Sequence, residues 1–513
     1  MRTDNMTTNR VRLLTGCCVF ALGLLAGTAQ AKDHDHDDRD HFKIEHDSLV
    51  ISSSTYDPTR GAVAGLRPGS VLPNTAKATT TAISGNNYVT VWSNESVDAS
   101  FGVTSPILLT GLDASSGRVL HTIGVPEEAV VTSFSSKSEL ALHLTQDQDE
   151  RRLVFVGYAG AGVGAIDASN SDAVPGQDPT NPVTFAFGLK YAFPRTIVSM
   201  DKHGNFAYTP TINYGGNNGR AALLGSNGLY YSVGNANNGN ATTFGASNGT
   251  NPDVTETTGL EAVIPLDAPT LYVAIPPSSS AEVDPLLQMV SNGKLDKPGK
   301  DDNFRGVTEH RGALYFTKGS GSNGIDTVYT VSSLPTIAGA AEAQISVVPG
   351  FPTDSARVTG GNFTPFAVFF ANDTTMYVTD EGSGNATDVA NHGGLQKWSL
   401  VNGVWQLDYV LTQGLIGVVD TNLNGPAGPY PAVTTVGLRN LTGVVGRDGM
   451  VTLWATTATS SASSDNGADP NKVVRITDYL PAKSLTGSVT HATFRTIAGP
   501  TYGTVYRGVA YAD

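Results

Sequence analysis

The chain ends on a strand pattern that it has already used. Its last nine residues, Val505-Tyr-Arg-Gly-Val-Ala-Tyr-Ala-Asp513, repeat the opening of an internal segment, Phe304-Arg-Gly-Val307. Internally, that opening runs through a turn, Glu309-His-Arg-Gly312, into a second strand, Ala313-Leu-Tyr-Phe-Thr317. At the C-terminus the second strand is missing. A strand without a hairpin partner presents unpaired backbone groups along an edge, which proteins avoid. The partner available is the N-terminal strand pattern Ser48-Leu-Val-Ile-Ser-Ser-Ser-Thr55. A last strand that completes the first sheet implies sheets arranged in a ring.

The rest of the chain carries the same rhythm. An apolar strand, a short polar turn and a strand rich in Tyr, Val and Phe recur at Glu139–Val156, Thr196–Tyr208, Leu260–Val273, Arg305–Phe316, Phe366–Val378 and Leu441–Trp454. The split pair, Arg507–Ala512 with Leu49–Ser54, makes a seventh. The starts lie roughly 45–75 residues apart, a repeat length that suggests propeller blades. Two further strands follow each hairpin, most clearly on either side of Asn402-Gly403, a dipeptide suited to the positive backbone angles of a tight turn. No stretch shows sustained helical periodicity. The expectation is an all-β chain. It has a single β-propeller of seven four-stranded blades over residues 48–513, closed by pairing of 505–512 with 48–55. Six or eight blades remain open because Gly204–Gly234 is ambiguous. Residues 58–104 read as an insertion in the first blade.

The N-terminus reads differently. Arg2, Arg10 and Arg12 precede an apolar run from Leu13 to Gly27, and Ala29-Gln30-Ala31 fits a small-residue cleavage site. Residues 1–31 are therefore expected to be a signal peptide, too short to make a comfortable membrane span. The mature chain is then exported, to the periplasm or beyond, with no membrane insertion. Cleavage removes both cysteines, Cys17 and Cys18, leaving no thiol nucleophile, disulfide or cysteine metal ligand. The whole chain carries a formal charge of −14, and losing the segment's +2 leaves −16. Such a surface repels nucleic acid and anionic membranes. Residues 32–47, with His34, His36, His41 and His46 among many aspartates, are expected to be a disordered tail. Imidazole with carboxylate suits Zn, Ni or Cu weakly, and a plain solvating spacer is the alternative.

The inner-hairpin rhythm resembles secreted seven-bladed β-propellers of the NHL-like and lactonase-like kind. Val378-Thr-Asp-Glu-Gly382 is similar to a strand end common in those repeats. Leu112-Asp-Ala-Ser-Ser-Gly-Arg-Val-Leu120 resembles a single repeat of quinoprotein dehydrogenases. Asp98-Ala-Ser-Phe-Gly-Val-Thr-Ser-Pro-Ile107 is similar to a segment of exported propellers of unknown function. The lactonase-like resemblance implies a channel calcium held by carboxylates and Asn; here the acids are not repeated around the blades.

Arg195, Arg305, Arg439 and Arg507 each stand at the start of an expected inner strand. Inner strands line the channel, so the four guanidinium groups converge on one mouth. Planar five-donor groups suit carboxylate, sulfate or phosphate. The alternative is structural: each arginine pairs with a carboxylate of a neighbouring blade, with Asp380, Glu381 or Asp201 as candidates. Glu309, His310 and His392 complete the titratable set. The expected function is binding of an anionic or carbohydrate ligand at a channel mouth, through the arginines with Asp380 and Glu381. The alternatives are a secreted hydrolase or lyase on a polysaccharide or lactone, and a platform for an extracellular protein partner. No Gly-x-Ser-x-Gly elbow, His-Glu-x-x-His or phosphate loop is present.

Overall fold

A computed structural model describes residues 42–67, 69–71, 103–134, 140–145, 151–159, 162–165, 195–211, 213–214, 218–235, 242–243, 255–256, 259–271, 278–284, 290–291, 294–295, 302–319, 324–353, 363–388, 393–421, 423–425, 428–461, 467–487 and 492–513. The expected signal peptide, and most of the expected tail and insertion, lie outside them.

The described chain is an all-β propeller, and its only helical turn among those residues is the 3-10 segment Gly61–Gly65. Six sheets of four or more strands make six blades, in place of the expected seven. In blade one, the order is Thr504–Ala512, Ser48–Thr55, Ile107–Asp113, Val119–Gly124. Leu49 lies opposite Tyr511 on one side and Leu112 on the other. Blade two contains Val130–Ser133 and His143–Leu144 beside Arg152–Ala159, followed by Arg195–Asp201 and Phe206–Thr211. Blade three is Gly219–Leu224, Tyr230–Gly234, Leu260–Val263 and Ser280–Glu282. Blade four is Val307–His310, Ala313–Lys318, Thr327–Val331 and Ser346–Val347. Blade five is Pro365–Asn372, Thr375–Asp380, Gly394–Val401 and Val404–Leu411. Blade six is Val433–Val445, Met450–Ser461, Val473–Tyr479 and Arg495–Ala498, with Val419–Asp420 added at its inner edge.

The seventh blade disappears for a definite reason. The hairpins expected at Glu139–Val156 and Thr196–Tyr208 are two halves of one sheet, since Arg152–Ala159 pairs with Arg195–Asp201 along its length. Leu260–Val263 is a third strand, paired with Tyr230–Gly234, rather than the start of a hairpin. The true inner hairpin of blade three, Gly219–Leu224 with Tyr230–Gly234, falls inside the segment that the sequence left ambiguous. The tail also ends sooner than expected. Phe42 and Ile44 are buried in the core between blades one and two, and the Phe42 ring meets that of His121 edge-on at 4.2 Å.

One hydrogen-bond motif recurs between blades. A hydroxyl on the second strand accepts the N–H of its own inner strand and donates to a carbonyl on the inner strand of the next blade. Thr317 accepts Gly306 N (3.2 Å) and donates to Phe366 O (2.7 Å). Thr379 accepts Ala367 N (2.9 Å) and donates to Arg439 O (2.5 Å). Thr456 accepts Asn440 N (3.2 Å) and donates to Arg507 O (3.1 Å). Ser52 accepts Gly508 N (2.7 Å) and donates to Leu140 O (2.7 Å). The series runs from blade four through five, six and one to two. All four hydroxyl residues are buried, where an unmet backbone group is costly. The glycine after Arg305 and Arg507 fits this approach: a Cβ at Gly306 would stand 2.4 Å from Phe366 O, and one at Gly508 2.1 Å from Leu140 O.

A second tie joins blades five and six further out. Lys397 and Asp478, both fully buried, pair at 3.0 Å, and the hydroxyls of Tyr377 and Tyr409 donate to the same carboxylate. Burial drives the Lys397 ammonium below its ordinary range, against the pull of Asp478.

Thr379→Val keeps the shape and removes both bonds of one hydroxyl. It is expected to cost about 1–3 kcal/mol in urea unfolding. Thr110→Val, which removes an exposed Thr110–Thr122 contact, is expected to stay within about 0.5 kcal/mol of the parent.

Candidate functional site

The inner strands bring different chemistry to their two ends. Their starts carry buried cations. Arg305 lies just before the inner strand of blade four, and Arg439 and Arg507 lie within those of blades six and one, each no more than 4% exposed. Arg220, on the inner strand of blade three, joins them and was missed in the sequence because its strand was not recognised. Arg195 differs from the expectation: it starts the third strand of blade two, where its guanidinium lies 4.8 Å from the Tyr158 ring centre.

Glu381 holds two of these arginines together. It follows the second strand of blade five, whose inner strand supplies Phe366 where its neighbours supply arginine. Arg439 Nε donates to Glu381 Oε1 at 2.9 Å and Arg439 Nη2 lies 2.8 Å from the same oxygen. Arg305 Nη2 is 3.9 Å from Glu381 Oε2 and its guanidinium is 5.3 Å from the Phe366 ring centre. One carboxylate of blade five thus bridges blades four and six. Arg507 Nη2 donates to the carbonyls of Phe134 and Gly467, the latter at 2.9 Å. Asp380 makes no ion pair of this kind. Its Oδ1 accepts Thr364 Oγ1 (2.6 Å), Thr364 N (3.2 Å) and Gly382 N (2.9 Å), and its Oδ2 accepts Gln396 Nε2 (3.1 Å). Burial pushes the Asp380 carboxyl upward, while those donors oppose the shift. Asp201 accepts from His203 N and Asn205 within its own turn rather than from an arginine.

The other end of the channel is open. A cavity of about 800 Å³ is lined there by the ends of the inner strands and their turns. Its wall is apolar, with Leu144, Leu224, Phe369 and Val444; its rim is polar, with Thr145, Ser226, Thr308, Glu309, His310 and Arg311. The turn after His310 takes positive φ at Arg311 (51°) and Gly312 (72°), the form that suits a two-residue hairpin. Side-chain pairs fix the rim across blades. Glu309 accepts Ser226 N (2.8 Å) and Ser226 Oγ (2.5 Å) from blade three. His310 Nε2 lies 3.1 Å from Asp373 Oδ1 of blade five, and its ring stacks on Phe370 with centres 4.1 Å apart. Arg311 pairs with the same Asp373. Burial lowers the His310 imidazole from its ordinary range, against the attraction of Asp373.

His143, from the inner strand of blade two, stands apart. Among the described residues its Nδ1 is enclosed without a hydrogen-bond partner. Burial pushes its pKa down to about 4. Sequence reasoning had placed its hairpin without singling it out, although an imidazole among Leu140, Ala141, Leu142 and Leu144 interrupts an apolar strand.

Of the expected site residues, the structure gathers Glu309 and His310 at this cavity, and Asp380, Glu381 and the arginines at the opposite strand ends. His392, His34, His36 and His41 lie outside the described residues. His46 is exposed and lies 3.1 Å from Asp47. Among the described residues no group of three or more His, Cys, Asp or Glu is placed to hold a metal ion, and no helix is long and apolar enough to cross a membrane.

No protein-family model matches the chain, and no curated protein matches it. Solved structures do. One is a functionally unknown protein from Desulfotomaculum acetoxidans, at 10% identity and TM-score 0.31, covering 78% of this chain and 96% of that one. A second is a quinoprotein alcohol dehydrogenase-like protein from Bacteroides thetaiotaomicron, at 7% identity and TM-score 0.30, covering 80% and 86%. A third is an endo-arabinase from the same organism, at 8% identity and TM-score 0.27, covering 54% and 77%.

Two outcomes follow. Glu381→Gln leaves two buried guanidinium groups short of their shared charge and is expected to destabilise the fold by about 3–5 kcal/mol in urea unfolding. His143 binds a proton in the unfolded chain below about pH 6.5 but in the folded chain only near pH 4. Its stability contribution is therefore complete above pH 6.5 and falls as the pH drops toward 4, by about 3 kcal/mol in total. His143→Phe should remove that part of the slope when unfolding is followed from pH 7 to pH 4.

Proposed function

We propose that the chain is an exported binding propeller, its six blades joined into a ring through the pairing of the terminal strands, and that it takes an uncharged carbohydrate in the cavity at the ends of its inner strands. The observation that carries this reading is the cavity itself: about 800 Å³, with an apolar wall and a polar rim. That size and lining suit a small-molecule site. A sugar presents C–H faces to an apolar wall such as Phe369 and hydroxyls to groups such as Thr145, Thr308 and His143.

Charge favours a neutral ligand. Among the described residues that line the cavity the one Lys or Arg is Arg311, which is tied to Asp373; Glu309 adds negative charge, and Asp513 accepts Arg151 Nη2 at its backbone oxygen. The arginines expected to bind an anion support a structural role instead, since Arg305 and Arg439 share Glu381 and all are buried. Export rests on residues 1–31, with their positive start and apolar run.

The test is a thermal-shift and calorimetry panel of short oligosaccharides of glucose, xylose, arabinose and mannose, with uronic acids, phosphate, sulfate and calcium alongside. A neutral oligosaccharide should raise the melting temperature by mass action. Phe369→Ala should weaken its binding at least about ten-fold while the protein remains folded. A shift confined to the anions, abolished by Arg305→Ala, would reverse the assignment of the two channel ends.

A further inference from the structure

The wide cavity does not end blindly. Below it lies a narrower space of about 140 Å³, lined by the middles of the inner strands of blades two, four, five, six and one. The two spaces share His143, Leu144, Thr308, Phe369, Gly443 and Tyr511. These residues come from blades one, two, four, five and six, and form a neck between mouth and channel. Three of them carry polar side chains. The Tyr511 hydroxyl is already committed, donating to Asp47 Oδ1 at 2.6 Å. Thr308 and His143 remain. With Nδ1 of His143 enclosed, its other ring nitrogen is the atom left to meet whatever enters.

We infer that the neck is a chain-end subsite, in which the terminal unit of an uncharged oligosaccharide places a hydroxyl against His143 Nε2 and Thr308 Oγ1. The inference rests on the carbohydrate reading above and names the part of the ligand that the channel selects. The lower space is too small for a second bound oligosaccharide but has room for one terminal group. A neutral imidazole has one N–H and one lone pair, and a hydroxyl both donates and accepts, so it fits either tautomer. A carboxylate can only accept, and among the described residues no Lys or Arg lines the neck to offset its desolvation. Glu309, Asp513, His310 and Arg311 face the wide cavity rather than the lower space; Arg311 is tied to Asp373 and Arg151 donates to Asp513, so Glu309 adds to the penalty for an anionic end. Burial keeps the His143 ring uncharged at neutral pH.

The experiment uses the mature protein and the oligosaccharide that gives the largest response in the panel. It is compared by calorimetry with the same compound carrying a carboxylate in its terminal unit. The neutral end should bind at least about ten-fold tighter. His143→Phe should weaken the neutral compound by a similar factor and abolish the preference, while His143→Gln, which keeps a donor and an acceptor, should retain most of both. A thermal melt of each variant at pH 7 controls for folding. Full affinity in His143→Phe together with loss in Phe369→Ala would overturn the neck assignment and leave the mouth reading standing. Equal binding of the neutral and carboxylated ends would overturn it in the same way. If no neutral oligosaccharide binds the parent protein, the mouth reading and the neck assignment fall together.

Discussion

Four successive seams of this propeller, from blade four through five, six and one to blade two, are each tied by a buried hydroxyl that is used twice. Thr317, Thr379, Thr456 and Ser52 each satisfy a backbone N–H within the blade and a backbone carbonyl across the seam. Inner strands sit where neighbouring sheets converge and, among the described residues, only that of blade six gains a short ladder partner on its channel side, Val419–Asp420. Their backbone groups must still be met, because a buried unpaired group costs about as much as a lost hydrogen bond. The hydroxyls meet that demand and set the spacing of the sheets together. Everything at the channel depends on that spacing, from the close approach at Gly306 and Gly508 to the neck formed by five blades.

The same constraint explains why the arginines lie buried at the seams. A guanidinium at the start of an inner strand enters a crowded seam. It is useful there only if paired, and blade five provides Glu381 at the point where its inner strand has Phe366 instead of arginine. Breaking a buried ion pair by removing one partner is strongly destabilising, so under the proposed reading these residues serve stability. The opposite strand ends diverge into turns. Their charges pair along the rim, as with Glu309 and Ser226 or Arg311 and Asp373, and leave the cavity itself unfilled.

Much of the architecture was legible in the sequence because hairpin rhythm is a local signal. The Arg-Gly repeat at 305 and 507 located two inner strands, and Asn402-Gly403 with φ of 52° and 81° turns as its composition implied. Blade count was not legible. Deciding whether Thr196–Tyr208 opens a new blade or finishes an old one depends on the pairing of Arg152–Ala159 with Arg195–Asp201, which is a long-range choice. The hydroxyl motif escaped notice since a Thr on a strand is unremarkable until its carbonyl partner is known. His143 escaped for the same reason: its meaning lies in what surrounds it. Glu381 was foreseen as a candidate staple, and Glu309 and His310 as titratable strand-end groups, but their separation onto opposite ends of the channel required the antiparallel course of each hairpin.

The account turns on which end of the channel receives a ligand. Hydrogen–deuterium exchange of the chain from Lys32 onward, with and without the best-binding neutral oligosaccharide, tests this directly. Protection should appear in 140–145, 306–311 and 366–370, around His143, Thr308 and Phe369, with no change in 379–382 or 437–440. Protection confined to the segments around Glu381 and Arg439 would contradict the account and return recognition to the arginine end.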